Sequence, residues 1–121
     1  KHRFLELYHY CMQYGEWIDE LNGMTDTVKG MANTEGPRSG GEPGSATERL
    51  VIRRMKLQEK CEAIEQTAIE ADPELYPYII EGVTTEYATY KYLKQVKDIP
   101  CGKDMYYERR RRFYWLLSQR I

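Results

Sequence analysis

The sequence predicts an all-α protein: a long N-terminal helical hairpin of coiled-coil character, followed by a C-terminal helix-turn-helix. Three observations carry that expectation. Apolar residues recur at alternating steps of three and four in two separate stretches. A Gly/Pro/Ser-rich segment with no large apolar side chain divides them. Short tyrosine-rich helical stretches then follow, the last two bent around "DIPCG" at 98–102.

The first stretch places Phe4, Leu7, Cys11, Tyr14, Ile18, Leu21, Thr25 and Val28 on one seam, with Thr25 its one polar member. Tyr8, Trp17 and Met24 widen the seam, while Glu6, Glu16, Asp19 and Glu20 fall off it. One helix over about 2–31 is the direct reading. The second stretch repeats the rhythm with Leu50, Arg54, Leu57, Cys61, Ile64, Ala68, Ala71 and Leu75. Ser45 or Thr47 can cap its start, and Asp72-Pro73 ends it, because a residue before proline disfavours helical geometry. Arg54, on the seam, is expected to pack its stem and send its guanidinium to an acidic neighbour. Between the helices, "ANTEGPRSGGEPGS" (32–45) cannot bury enough surface to offset its ordering entropy, so a mobile connector is expected. The seams fit core packing within one chain, and the same pattern also serves a homodimer through the helical hairpin.

Residues 73–121 read as a second unit beside 1–72. A short helix over about 73–81 is expected to stop at Gly82, where glycine tolerates the left-handed conformation. Thr84 or Thr85 would cap the next helix, running to about Lys97 with Tyr87, Tyr90, Leu93 and Val96 as its inner face. In the turn, Ile99 is an apolar tether, Pro100 prevents helix continuation and Gly102 precedes the last helix. That helix, about 103–119, puts Tyr106, Phe113, Leu116 and Leu117 on one face. Two helices, a short turn and a basic second helix are the parts of a helix-turn-helix.

Charge sharpens the division. Residues 1–83 hold 9 Lys/Arg against 15 Asp/Glu, and residues 84–121 hold 9 against 4. The net charge of −1 therefore hides an acidic body and a basic tail. Within that tail, Arg109–Arg112 span about one helical turn, so their side chains cannot share a direction. Arg109 and Arg110 flank the core side. Arg111 projects outward with Lys103, Asp104 and Tyr107, and those four form the expected base-reading face for a major groove. Lys91, Lys94, Arg110 and Arg112 suit phosphate contacts, and Thr84 and Thr85 would meet a phosphate from a helix N-terminus. Double-stranded DNA is thus the expected partner.

Other classes find less support. No apolar run approaches the ~18–20 residues that span a bilayer, no continuous apolar leader is present, and Asp104 and Glu108 argue against a membrane-surface helix. Cys11, Cys61 and Cys101 are odd in number and far apart, which points to a reducing, cytoplasmic setting. His2 and His9 make no zinc cluster with them, so no metal or cofactor is expected. No phosphate-binding glycine loop or paired catalytic carboxylates are recognisable, and the chain is not expected to be an enzyme.

"SATERLVIRR" after the Gly/Pro/Ser segment, together with "IPCGKDMYYERRRRFYWLLSQR", resembles the RinA- and ArpU-like phage late-gene transcriptional regulators. Their C-terminal helix-turn-helix is similar to region 4 of sigma factors. The likeness covers most of the chain, with its specific part in the C-terminal third. It implies a phage or prophage regulator in the cytoplasm of a bacterial host, with RNA polymerase as a further partner. Lys103, Asp104, Tyr107 and Arg111 would read bases, and Ile99, Tyr106 and Phe113 would hold the unit together. The family commonly has a Ser before the recognition helix; Gly102 stands there in this chain. Two other readings remain open: a small terminase-like DNA-packaging subunit, and a protein–protein adaptor or inhibitor acting through the hairpin.

Overall fold

Six α-helices and no strand occupy the described residues, which are 2–33 and 46–121 of the computed structural model; side chains are described for all of these except 25–33 and 46. In chain order the helices are α1 (His2–Met12), α2 (Tyr14–Asn33), α3 (Ala46–Ala71), α4 (Tyr76–Thr84), α5 (Tyr90–Val96) and α6 (Lys103–Arg120). The connector expected at 32–45 lies, but for its first two positions, outside the described residues, as do the side chains of Thr25 and Val28 and the capping Ser45. No helix among the described residues is long and apolar enough to cross a membrane.

The helix expected over 2–31 is two helices. Gln13 interrupts it: its N–H donates to the Tyr10 carbonyl at 3.3 Å, and its own carbonyl accepts from Trp17 N–H at 3.0 Å. The three-residue step tightens that turn and lets the chain change course. The reason is tertiary. α2 packs along α3, whereas α1 packs against α4 and α6, and one straight rod cannot serve both sides. Burial follows suit: Leu7, Cys11, Trp17 and Met24 are buried, while Phe4, at the head of the seam, is 43% exposed.

α2 runs antiparallel to α3. Tyr14 Oη donates to Glu65 at 2.5 Å, Lys60 Nζ lies 5.2 Å from the Trp17 ring, and Arg53 donates to Glu20 at 2.5 Å. The Arg53–Glu20 pair is largely in solvent and adds little, about 0–1 kcal/mol. The seam supplies the cohesion: Leu57, Cys61, Ile64, Ala68 and Ala71 of α3 are all buried, with Leu75 just beyond. Arg54 is half-buried as expected, but no acidic partner receives it among the described residues; its neighbour Arg53 makes that bond.

α3 is the spine, touching α2, α4 and α6. Side chains from both 1–72 and 73–121 enter one buried cluster, from Leu7 through Ile64 and Ile79 to Phe113 and Leu117. The corner after α3 forms at Asp72-Pro73, where the sequence puts it. Gly82 differs from expectation: it lies inside α4, and the helix ends only at Thr84, with Thr85 extended beyond it. A Cβ at Gly82 would overlap the Tyr106 hydroxyl, so this glycine is there for close approach rather than for a turn.

Candidate nucleic-acid interface

α5 begins at Thr89, whose side-chain oxygen accepts from Tyr92 N–H at 3.3 Å. Thr84 and Thr85 therefore do not head this helix. Thr84 sits in the last turn of α4 with its hydroxyl on the Ile80 carbonyl, and Thr85 N–H donates back to Glu81. A phosphate held at a helix N-terminus, expected of both, has no basis here, because each lies at a C-terminal end. The inner face of α5 is also narrower than the spacing suggests. Leu93 is buried and Tyr90 half-buried, but Tyr87 and Val96 are 69% and 62% exposed.

The turn from α5 to α6 is held from three directions. Asp98 takes a left-handed conformation (φ 55°), which carries Ile99 N–H to the Leu93 carbonyl at 3.1 Å and buries the Ile99 side chain completely. Lys94 Nζ donates to the Ile99 carbonyl at 3.3 Å, and Tyr90 Oη to the Cys101 carbonyl at 2.7 Å. Gly102 precedes α6 in ordinary extended geometry, with no side-chain cap. Tyr106, one turn on, is fully buried between Gly82 and the Tyr90 ring.

α6 is gripped on two sides. On one, Arg3 donates to the Ser118 carbonyl at 3.1 Å and Phe4 meets the Tyr114 ring edge-on at 5.1 Å. On the other, Arg109 Nε donates to Asp72 Oδ2 at 3.0 Å, and Arg120 reaches Thr67 at 3.1 Å and Glu70 at 2.6 Å. The outward stripe between these flanks runs through Asp104, Glu108, Arg111, Trp115 and Gln119, stepping by four and three, with Arg112 beside it. Every one of these residues is exposed.

The four arginines of the run thus divide into two pairs. Arg109 is bound to Asp72 and to Glu108. Arg110 is half-buried, its guanidinium 5.2 Å from the Tyr114 ring and in the field of the buried Tyr106. Arg111 and Arg112 are exposed and make no ion pair or hydrogen bond with the described residues. Of the expected base-reading set, Lys103, Asp104 and Arg111 are exposed. Tyr107 is not: it turns toward Tyr106, 5.0 Å away, and lines a cavity of about 170 Å³ with Tyr8, Met12 and Arg110. Of the expected phosphate set, Lys91 and Arg112 are exposed and unpaired among the described residues, Lys94 is engaged with the turn, and Arg110 with Tyr114.

Three residues that matter here carry no mark in the sequence pattern as read above. Trp115, 63% exposed, extends the Arg111 stripe by one turn, and the helical step from Arg111 would have found it. Arg120 and Thr67 form a staple across 53 positions, which no local pattern signals. No family model matches the chain, and no curated protein or solved structure matches it either.

Proposed function

We propose that this protein is a DNA-binding transcriptional regulator of phage or prophage late genes, acting in the cytoplasm of a bacterial host as a helix-turn-helix reader of duplex DNA. α5, the Ile99 corner and α6 supply the two helices and the turn, and α6 is the reading helix. The observation that carries the proposal is the split of the arginine run. Arg109 and Arg120 hold the fold through Asp72, Glu108 and Glu70, whereas Arg111 and Arg112 are exposed and make no ion pair among the described residues, which leaves two cations on α6 available to an outside partner. A polyanion supplies the missing charge. Lys103, Asp104 and Arg111 are then the base-reading residues, with Arg112 and Lys91 on phosphates. No catalytic step or cofactor enters this reading. The acidic remainder, including Glu16, Asp19 and Glu62, is the surface left for RNA polymerase.

A second reading, the packaging subunit, draws on α3. Val51, Ile52 and Met55 lie on its outer face, each about half exposed, and suit self-association. Light scattering separates the two: a ring larger than a dimer favours packaging. Selection of bound duplexes from a random pool tests DNA binding itself. Recovery of a consensus supports the regulator. Failure to retain any duplex at ~50 mM salt, where phosphate contacts are strong, removes both DNA readings.

A further inference from the structure

The two tryptophans have opposite surroundings. Trp17 is 7% exposed beneath the Lys60 ammonium, whereas Trp115 stands 63% exposed on α6. A single apolar side chain in water is ordinary. Trp115 is distinguished by its register: Arg111 and Arg112 lie one turn before it on the same face, and neither has an acidic partner among the described residues. The nearest acid on that face, Glu108, is occupied by Arg109. An exposed indole one turn from two exposed guanidinium groups, Arg111 and Arg112, the latter at the edge of a cleft that also holds Glu70, Asp72 and Glu108, is the chemistry of a surface that meets a polyanion carrying flat or apolar rings.

Helix geometry says where on the polyanion. Resting on the duplex reading above, the first turns of α6 enter the major groove, which is about 12 Å wide. At about 1.5 Å per residue, Arg111 stands roughly 12 Å beyond Lys103, and Trp115 roughly 18 Å beyond it. Arg111 is then at the limit of the groove, and Trp115 is past it, over the sugar–phosphate wall. We propose that Trp115 and Arg112 together clamp the DNA backbone at the groove edge. The indole Nε1–H, a donor only, bonds a phosphate oxygen while the ring covers the adjoining deoxyribose. Arg112 neutralises the neighbouring phosphate. The clamp reads no bases; it fixes how deeply α6 sits.

The two tryptophans make the test direct, using the full chain and a mixed-sequence duplex several helical turns long at about 50 mM salt. Binding is followed by anisotropy of a labelled duplex, and tryptophan emission with the unlabelled one. The expected result is quenching of emission in step with binding. Trp115→Phe abolishes that change, since the buried Trp17 stays silent. Trp115→Ala weakens binding about tenfold, by the same factor on every sequence, with the salt slope unchanged because no charge is removed. The helical circular dichroism of both variants stays native, as the site is exposed. Duplex binding with unaltered Trp115 emission, or full affinity in Trp115→Ala, overturns the clamp and leaves duplex reading by α6 standing. So does a loss of self-association in Trp115→Ala at unchanged DNA affinity, which assigns the indole to a second copy. No duplex binding by the native chain overturns the duplex reading and the clamp with it.

Discussion

Arg109 Nε donates to Asp72 Oδ2 at 3.0 Å, across 37 positions of sequence, while the other oxygen of that carboxylate accepts the N–H groups of Glu74 and Leu75 at 2.9 and 3.0 Å. One carboxylate therefore organises the corner where Pro73 ends α3, and ties α6 to it. Asp72→Ala should cost about 1–2 kcal/mol, the size of a lost capping interaction. Arg109→Ala should lower the melting temperature and leave duplex affinity unchanged. Thermal melts and anisotropy titrations check the pair; a selective affinity loss in Arg109→Ala would move that residue into the interface.

The same carboxylate sets an acid limit. Burial pushes the Asp72 carboxyl up, but the Leu75 and Glu74 N–H groups and the Arg109 guanidinium outweigh it and hold the carboxyl below its ordinary value. A depressed carboxylate stabilises fully above its unfolded pKa, near ~4, and that contribution is lost as pH falls through the lower folded value. Melting temperatures taken from pH 7 downward should therefore fall more steeply for the native chain than for Asp72→Asn, which keeps an acceptor for the corner without a charge to titrate. Parallel curves would contradict this.

Gly82 and Tyr106 form a lock between α4 and α6. The Tyr106 ring is 1% exposed, and its hydroxyl lies where a Gly82 Cβ would be. Gly82→Ala should destabilise by about 1–3 kcal/mol through overpacking, partly offset by up to ~1 kcal/mol of helix propensity. The hydroxyl has no hydrogen-bond partner among the described residues, so Tyr106→Phe should cost little and should rescue Gly82→Ala. Additive losses in that double-mutant cycle would refute the lock.

The thiols should react in sequence. Burial lifts Cys11 to about 12 and Cys61 to about 11, and both sit in the core. Cys101 is also raised by burial but is only half-buried, beside the turn. At neutral pH, maleimide should modify Cys101 first, and the other two only after denaturation. Three equal rates would show that the core opens readily.

Local pattern carries much of this fold. The seam of α3, the Asp72-Pro73 corner, the Ile99 tether and most of the buried face of α6 are legible, because each is fixed by spacing or by proline within a few residues. On α6, Tyr106, Phe113 and Leu117 are buried as expected, but Tyr114 rather than Leu116 completes the face. What is not legible is tertiary. The break at Gln13 arises because α1 and α2 serve different neighbours, and Gly82 is needed for close approach only because Tyr106 arrives from 24 positions away. Thr89 rather than Thr84 or Thr85 heads α5 since α4 runs on past its glycine. Within the candidate site, helical phase alone places Arg111 outward. Tyr107 goes instead to the α1 side, because the phase of a helix does not reveal which flank a neighbour will cover.

The salt dependence of duplex binding, compared between the native chain and Arg111→Ala/Arg112→Ala, bears most directly on whether the two unpaired arginines exist to meet DNA. The native chain should bind duplex at low salt. The double variant should bind more weakly, with a log–log salt slope shallower by about 0.9 for each phosphate that the removed guanidinium groups had neutralised, at an unchanged melting temperature. An identical slope in the two proteins, or affinity that falls only together with the fold, would show that these two side chains are surface charge and do not meet DNA.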